Sequence, residues 1–253
     1  MAHRYLFEQM VRRELRQKYR GSALGVLWYV INPLVLMGAY YLMFGVIFDA
    51  ASEPDYPLFL LVGLIVWVFF SQAVVSAAPS LLDQGALVRK ARFPRETIPA
   101  SVVTVHLVTF LALIAMLAPV TIAIRGTIDV ALLLLPLILA CLFAFVLGFA
   151  LIVSILHAYF RDVAPILSAA LLPWFFVSPI FFRPESITDQ PTRFVLEWVN
   201  PIAPFIGAVR DVVYGGIVPG GAELAYVVVA AAAMLLAGRW LFDRLQGELA
   251  VVV

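Results

Sequence analysis

The stretch VALLLLPLILACLFAFVLGFALIVSIL, residues 130–156, decides the fold of this chain because it contains no charged residue. It is followed by a short polar turn, HAYFRD at 157–162, and by a second uncharged stretch, VAPILSAALLPWFFVSPIFF at 163–182. About 20 apolar residues are enough for a helix to cross the hydrocarbon core of a bilayer, and a helix satisfies its own backbone polar groups there. The sequence therefore predicts two membrane-spanning helices joined as a hairpin.

The rest of the chain has the same character. Of its 253 residues, 64% are hydrophobic and only 13% are charged, and the mean hydropathy is +1.01, whereas about 25% of the residues in soluble domains are charged. This composition excludes a water-soluble globular protein, and a net charge of +1 gives no indication of nucleic acid binding. The predicted fold class is an all-α integral membrane protein with six spans, at about 24–48, 58–78, 98–124, 130–156, 163–182 and 224–242.

The basic residues predict the orientation, because Lys and Arg are enriched in cytoplasmic flanks. If both termini lie on one side, that side holds 13 of the 17 basic residues, and we call it the basic side. We therefore expect a multi-pass protein of the plasma (inner) membrane with both termini in the cytoplasm. The transmembrane domain, 24–242, would follow an interface segment, 1–23, and precede a cytoplasmic tail, 243–253. The first apolar run follows a long basic segment, so a cleaved signal peptide is not expected.

Two segments outside the spans have helical patterns. In 5–19 the apolar residues form one arc, and Arg12, Arg13 and Arg16 lie on the opposite face, which predicts an amphipathic helix lying flat on the basic-side surface. Anchoring to lipid headgroups and binding to a partner both remain open for it. In the loop 183–221, apolar residues at helical spacing follow Pro201, which predicts short re-entrant or interfacial helices.

The loop 83–96 alternates basic and apolar residues before Pro94. Basic residues alone would serve as positive-inside anchors, but the interspersed Leu87 and Phe93 also favour a short helix that docks a soluble partner.

Aromatic residues gather in the first and fifth predicted spans. An interfacial belt explains the rings near the span ends, whereas rings in mid-span could line a path for sugars. Pro165, Pro173 and Pro179 also predict a bent or broken fifth span.

The sequence contains no phosphate-binding glycine loop, nucleophile elbow or metal-spaced His/Cys cluster. His3, His106 and His157 are isolated and are interpreted as surface or packing residues. The single Cys141 excludes an internal disulfide. We therefore predict no catalytic residue, no metal site and no cofactor in this chain.

Four separate motifs together resemble the membrane (permease) subunit of polysaccharide-exporting ABC transporters, the family that exports O-antigen, teichoic acid and related cell-surface polymers. The motifs span nearly the whole chain and comprise Tyr19-Arg20-Gly21-Ser22 with Trp28 and Pro33, Phe93-Pro94-Arg95-Glu96, Tyr159-Phe160-Arg161-Asp162 with Trp174, Phe175, Ser178 and Pro179, and Asn200-Pro201.

The resemblance implies a homodimer of permeases with two copies of a separate ABC ATPase, which would bind ATP and Mg. It implies that the interface helix precedes the first span and that a coupling helix at about 86–93 docks onto the ATPase. The residues implied in ATPase coupling are Leu87, Val88, Arg89, Lys90, Arg92, Phe93, Arg95, Glu96, Tyr159, Phe160, Arg161 and Asp162. Those implied along the substrate pathway are Trp28, Tyr29, Tyr40, Tyr41, Phe44, Trp174 and Phe175.

The expected cargo is a polysaccharide on an undecaprenyl diphosphate lipid, as in lipopolysaccharide biosynthesis. Arginines near the basic side are candidates for its anionic diphosphate, and simple anchoring remains the alternative for them. They are Arg4, Arg12, Arg13, Arg16 and Arg20.

Other functions remain open at this stage. In the sequence of the permease alone, only the aromatic positions distinguish a polymer exporter from an ABC permease for a drug or a small lipid. A membrane-embedded glycosyl or lipid transferase would need paired carboxylates or a metal at a membrane face, but the acidic residues on the basic side are scattered singly. A secondary transporter would need ionisable groups in mid-membrane, where only His106 lies.

Overall fold

The structure is a computed structural model that describes residues 2–19, 27–47, 53, 55–90, 94–247 and 249. Within these ranges the chain forms helices and turns and no strand. Five of the helices described are long and apolar enough to cross a membrane, and one shorter apolar helix accompanies them. The predicted fold class, an all-α integral membrane protein, is confirmed.

The helices follow one another without long connections. The first half contains α1 (Ala2–Tyr19), α2 (Trp28–Tyr40) continued by a π-helix (Tyr41–Ile47), α3 (Tyr56–Ala77), α4 (Ser80–Asp83), α5 (Gly85–Lys90) and α6 (Thr97–Arg125). The second half contains a 3-10 turn (Val130–Leu134), α7 (Leu135–Tyr159), α8 (Val163–Val177), a 3-10 turn (Pro184–Ser186), α9 (Gln190–Phe194) with a π-helix (Val195–Val199), α10 (Ala203–Arg210) with a π-helix (Asp211–Gly215), and α11 (Gly221–Leu245).

The predicted spans match the long helices, with one correction. The fifth span was expected to end at 182, but α8 ends at Val177 and has only 15 residues. The cause is Pro179, because the residue before a proline is driven out of the α region, and Ser178 accordingly has φ −82° and ψ 144°. Pro165 and Pro173 lie inside α8. Residues 24–26 at the predicted start of the first span lie outside the described residues.

Helix α3 is the centre of the molecule. It is apolar on every side, as expected for a buried helix, and Phe59, Leu60, Leu64 and Phe70 on it are fully buried. Helices α2, α6, α7, α8 and α10 all contact it.

Helices α7 and α11 form the closest pair. A Cβ atom added at Gly148 would clash with the backbone of Met234, and one added at Gly238 would clash with the backbone of Gly148. Small residues at such a crossing allow two membrane helices to approach closely, and the pair gains van der Waals contact over its length.

The short helices predicted in the loop 183–221 are present as α9 and α10. Apolar residues at helical spacing along α10 and its π-helix are fully buried, and α10 contacts α3, α7 and α11. They are Ile202, Phe205, Ile206, Val209, Val212 and Val213. The apolar face of α10 therefore packs on protein.

Candidate functional site

Three contacts hold the basic-side elements together. The Gln84 amide donates to Glu14 Oε1 on α1 at 3.2 Å, the Tyr159 hydroxyl donates to the Leu245 carbonyl at 2.7 Å, and the Arg95 guanidinium donates to the Gln246 carbonyl. The interface helix, the region of α4 and α5, the end of α7 and the end of α11 consequently lie on the same side of the molecule.

Helix α1 has the predicted amphipathic character. Met10 is buried, whereas Arg12 and Arg13 are exposed. Of the other predicted diphosphate ligands, the side chains of Arg4 and Arg16 and the whole of Arg20 lie outside the described residues.

The predicted coupling helix corresponds to α5. Ala86 is exposed, whereas Leu87 is half-buried and packs against a cluster that we call the basic-side cluster. Its buried members are Met10, Leu81, Ile98, Leu151, Ile155, Ala158, Phe242 and Leu249. Leu87 therefore faces its own chain, although the sequence placed it among the docking residues. The side chains of Val88, Arg89 and Lys90, and residues Arg92 and Phe93, lie outside the described residues.

The turn between α7 and α8 presents an exposed aromatic ring beside two charges. Phe160 is 66% exposed, and Arg161 and Asp162 are exposed with it. The turn is held from both ends, because the Ala164 amide donates to His157 Nδ1 at 3.3 Å and Tyr159 is bonded to α11. A ring held in this way is suited to contact with another protein chain.

A polar cavity of about 540 Å³ lies between α1, α3, α4 and α6. Arg13 lines it, and His106 forms a 3.1 Å hydrogen bond with Ser76 in its wall. The carboxylates of Glu14 and Asp83 line the cavity as well. Their negative charges weaken the attraction of Arg13 for an anion.

The predicted pathway rings separate into two groups. Tyr40 lies 5.3 Å from Phe175 between ring centroids, and Phe44 lies 4.6 Å from Phe181, so these rings of α2, α8 and the following segment form one cluster. By contrast, Trp28 and Tyr41 are 49% and 39% exposed and lie on the surface. The side chain of Tyr29 lies outside the described residues.

Trp174 has an internal partner for its indole N–H. Its Nε1 donates to Asn200 Oδ1 at 2.8 Å, and the Asn200 amide donates to the Ser178 hydroxyl at 3.0 Å. The ring also contacts Trp67 and Phe70 on α3. The indole N–H of Trp174, in the middle of the predicted fifth span, is thus satisfied within the chain.

The opposite side contains a charged site that sequence reasoning did not identify. Arg210 is only 3% exposed and donates to the carbonyls of Pro179 and Ile180 at 2.8 and 3.0 Å. Its guanidinium carbon lies 3.7 Å from the centroid of the Phe59 ring, which is cation–π geometry. The Tyr56 hydroxyl donates to the next carbonyl, that of Phe181, at 2.9 Å.

These bonds compensate for the early end of α8. The segment 178–182 is not helical, and buried backbone carbonyls need hydrogen-bond partners. Arg210 and Tyr56 supply them for three successive carbonyls. The sequence did contain a signal for this site. Arg210 interrupts the apolar pattern 205–213, and a charge in such a pattern is rare unless it is paired.

The charges around Arg210 form a small network. Arg183 pairs with Glu53 at 2.8 Å and lies 3.8 Å from Asp211. Burial, followed by the charge of Arg183, lowers the pKa of Arg210 to about 9, so the group is still charged at neutral pH. Burial raises the pKa of Asp211, and Arg183 partly opposes that shift.

No group of three or more His, Cys, Asp or Glu side chains within the described ranges could hold a metal ion.

Comparison with known proteins agrees with this architecture. The family model described as "ABC-2 type transporter" matches residues 5–214. The chain belongs to the ABC-2 type transporter family. The resemblance predicted from the sequence is thereby confirmed at the level of the family, and the chain is a multi-pass membrane protein.

Individual members of the ABC-2 family match along most of their length. An O-antigen export system permease protein RfbA of Myxococcus xanthus is 29% identical over 98% of this chain and 95% of the relative. An RfbA of Klebsiella pneumoniae is 29% identical over 84% and 82%. The polysialic acid transport protein KpsM of Escherichia coli is 28% identical over 93% and 91%.

Proposed function

We propose that this chain is the permease subunit of an ATP-driven exporter that moves a lipid-linked polysaccharide, such as O-antigen on undecaprenyl diphosphate, across the plasma membrane. The observation that carries the proposal is the end-to-end match to transport proteins whose names specify O-antigen and polysialic acid. Under this proposal the chain is not an enzyme.

The energy enters through a partner. The sequence has no phosphate-binding loop, so ATP and Mg belong to a separate ABC ATPase, present in two copies beside two permeases. The exposed Ala86 on α5 and the exposed Phe160 form the docking surface on the basic side, which we assign to the cytoplasm. ATP binding shifts the permease pair between two arrangements only if the ATPase contacts these sites differently in each.

The second permease copy packs against α2 and α8. Only 6% of the residues in Val30–Ile47, which covers most of α2 and its π-helix, are buried within one chain, whereas 72% of the residues in an 18-residue window of α3 are buried. Together, α2 and α8 leave apolar side chains such as Val35, Leu42, Leu172 and Phe176 exposed. The sugar path runs between the copies, where Tyr41 and the cluster around Tyr40 and Phe175 are nearest.

The diphosphate of the lipid carrier is received at the basic side, where Arg12 and Arg13 are exposed and Arg13 also lines the cavity near His106. Replacing both arginines with glutamine should reduce polymer at the cell surface while the ATPase still co-purifies. Unchanged export in this variant would show that Arg12 and Arg13 do not receive the diphosphate.

Co-purification tests the proposal directly. The chain is co-expressed with the ABC ATPase encoded beside it and purified through a tag on the permease alone. The wild type should bring the ATPase in a two-plus-two complex, and an Ala86→Asp, Phe160→Asp variant should lose it. These positions are preferable to Leu87, whose partial burial would confound docking with packing.

A matched control places the same two aspartates on the opposite side. Ile128 and Val218 are 81% and 59% exposed, and Ile128→Asp with Val218→Asp should leave the ATPase bound. If the wild type brings no ATPase, the proposed energy source and docking surface are wrong.

A further inference from the structure

The end of α11 binds two separate loops of the basic side. The last carbonyls of a helix have no partner within the helix, and donors or cations at this end satisfy them. Here the Leu245 carbonyl accepts from the Tyr159 hydroxyl at 2.7 Å, and the adjacent Gln246 carbonyl accepts from Arg95. Tyr159 precedes the exposed Phe160 turn, and Arg95 follows the α5 segment.

The chain beyond α11 returns into the protein. The Leu249 amide donates to the Gln246 carbonyl at 3.4 Å, and the Leu249 side chain is fully buried in the basic-side cluster. Leu87 of α5 and Tyr159 of α7 both pack against this cluster. Hydrogen bonds and apolar packing thus connect the end of α11 with the end of α7 and with the segment around α5.

We propose that the end of α11, residues 245–247 together with Leu249, is a brace that makes the segment around α5 and the α7–α8 turn move together, with Tyr159 and Arg95 as positioning residues. The proposal rests on the proposed function, in which both loops contact the ATPase. The adjacent carbonyls of Leu245, the last residue of α11, and of Gln246, its C-cap, hold Tyr159 and Arg95, so a displacement of either element by the ATPase is transmitted to the other and to α11. The close contact of α11 with α7 at Gly148 and Gly238 then carries the displacement across the membrane.

The brace is tested in the complete complex by removing donors while the packing is kept. Tyr159→Phe loses only the hydroxyl, and Arg95→Met loses the guanidinium, whereas Arg95→Lys retains a charge and a donor. Thr104→Val is the matched control, because the Thr104 hydroxyl donates within its own helix, to the Ala100 carbonyl at 2.8 Å.

Three quantities are measured for each variant: co-purification of the ATPase, MgATP hydrolysis by the complex in proteoliposomes, and the amount of polymer at the surface of an export-deficient strain. With the brace, less polymer is exported per ATP hydrolysed, where hydrolysis is normalised to the amount of ATPase that co-purifies. The surface polymer falls about threefold for Tyr159→Phe and about tenfold for the double variant Tyr159→Phe, Arg95→Met, since the net effect of a hydrogen bond corresponds to a factor of about two to ten. Arg95→Lys restores most export, and Thr104→Val behaves as wild type.

The tail provides a second, independent test. A chain terminated after Gly247 and a Leu249→Asp variant should both lose polymer export while they retain ATP hydrolysis, and Leu249→Met should behave as wild type.

Two results would overturn the brace. One is full export by the double variant, and the other is a loss of export that only follows the loss of assembled complex, which would make these bonds a stabilising helix cap and nothing more. Failure of the proposed function is distinguishable, because in that case the wild-type complex itself would show no polymer at the surface.

Discussion

Replacing Arg210 with methionine tests whether its hydrogen bonds to the Pro179 and Ile180 carbonyls stabilise the fold. The change keeps an unbranched, flexible side chain but shortens it and removes both donors, so the carbonyls of Pro179 and Ile180, bonded at 2.8 and 3.0 Å, lose their partners. A buried acceptor without a partner costs about 1–3 kcal/mol, or about 2–6 kcal/mol for two. Removing the buried charge offsets part of this, because desolvation of that charge is the main cause that lowers the pKa of Arg210. We expect a net loss of about 3 kcal/mol in the free energy of unfolding.

The assay is thermal unfolding in detergent, followed by loss of the monodisperse peak after heating. At roughly 2–4 °C per kcal/mol for a chain of this size, Arg210→Met should lower the Tm by roughly 6–12 °C. Arg183→Met is the matched control: the Arg183 side chain is 31% exposed in its pair with Glu53, and such pairs contribute at most about 1 kcal/mol. Arg210→Lys should lie between them, because an ammonium lacks the planar fork that reaches both carbonyls. A Tm of Arg210→Met within about 2 °C of wild type, or an equal loss in Arg183→Met, would refute the reasoning.

Three further predictions concern other contacts of the fold. Gly148→Val should separate α7 from α11 and lower the Tm more than the same change at the open Gly38, as measured by the same thermal assay; equal shifts would show that the close crossing contributes nothing. Asn200→Leu should destabilise the protein by about 1–3 kcal/mol by leaving the Trp174 indole unpaired, and Trp174→Phe in the same chain should recover part of the loss; a double-mutant cycle with no coupling would contradict the bond. Glu53→Gln should change the Tm by no more than roughly 4 °C, and adding 1 M NaCl should abolish most of that difference.

The elements that sequence reasoning located well are those with a long-range composition signal. The uncharged stretches of the sequence predicted the ends of most long helices to within a few residues, and the arginine face of 5–19 predicted α1. A short helix, α5 (Gly85–Lys90), overlaps the segment predicted for the coupling helix, and its part in ATPase coupling stays a prediction.

The errors have local causes. The end of α8 depends on the conformation of Ser178 before Pro179, which a hydropathy pattern does not resolve. Leu87 packs partly against the basic-side cluster, an arrangement that depends on where α1, α7 and α11 end, and its part in docking stays a prediction. The partner of the Trp174 indole could not be predicted either, because Asn200 is distant in the chain and its approach depends on α10.

Arg210 shows how a buried charge can constrain movement as well as position. Its two donors bind consecutive carbonyls of the segment 178–182, and its guanidinium lies on Phe59 of α3. A shift of α10 by one helical turn, about 5.4 Å, would break both bonds and leave a buried charge and two carbonyls without these partners. Helix α10 and the segment after α8 must therefore move as one unit in any rearrangement of this side.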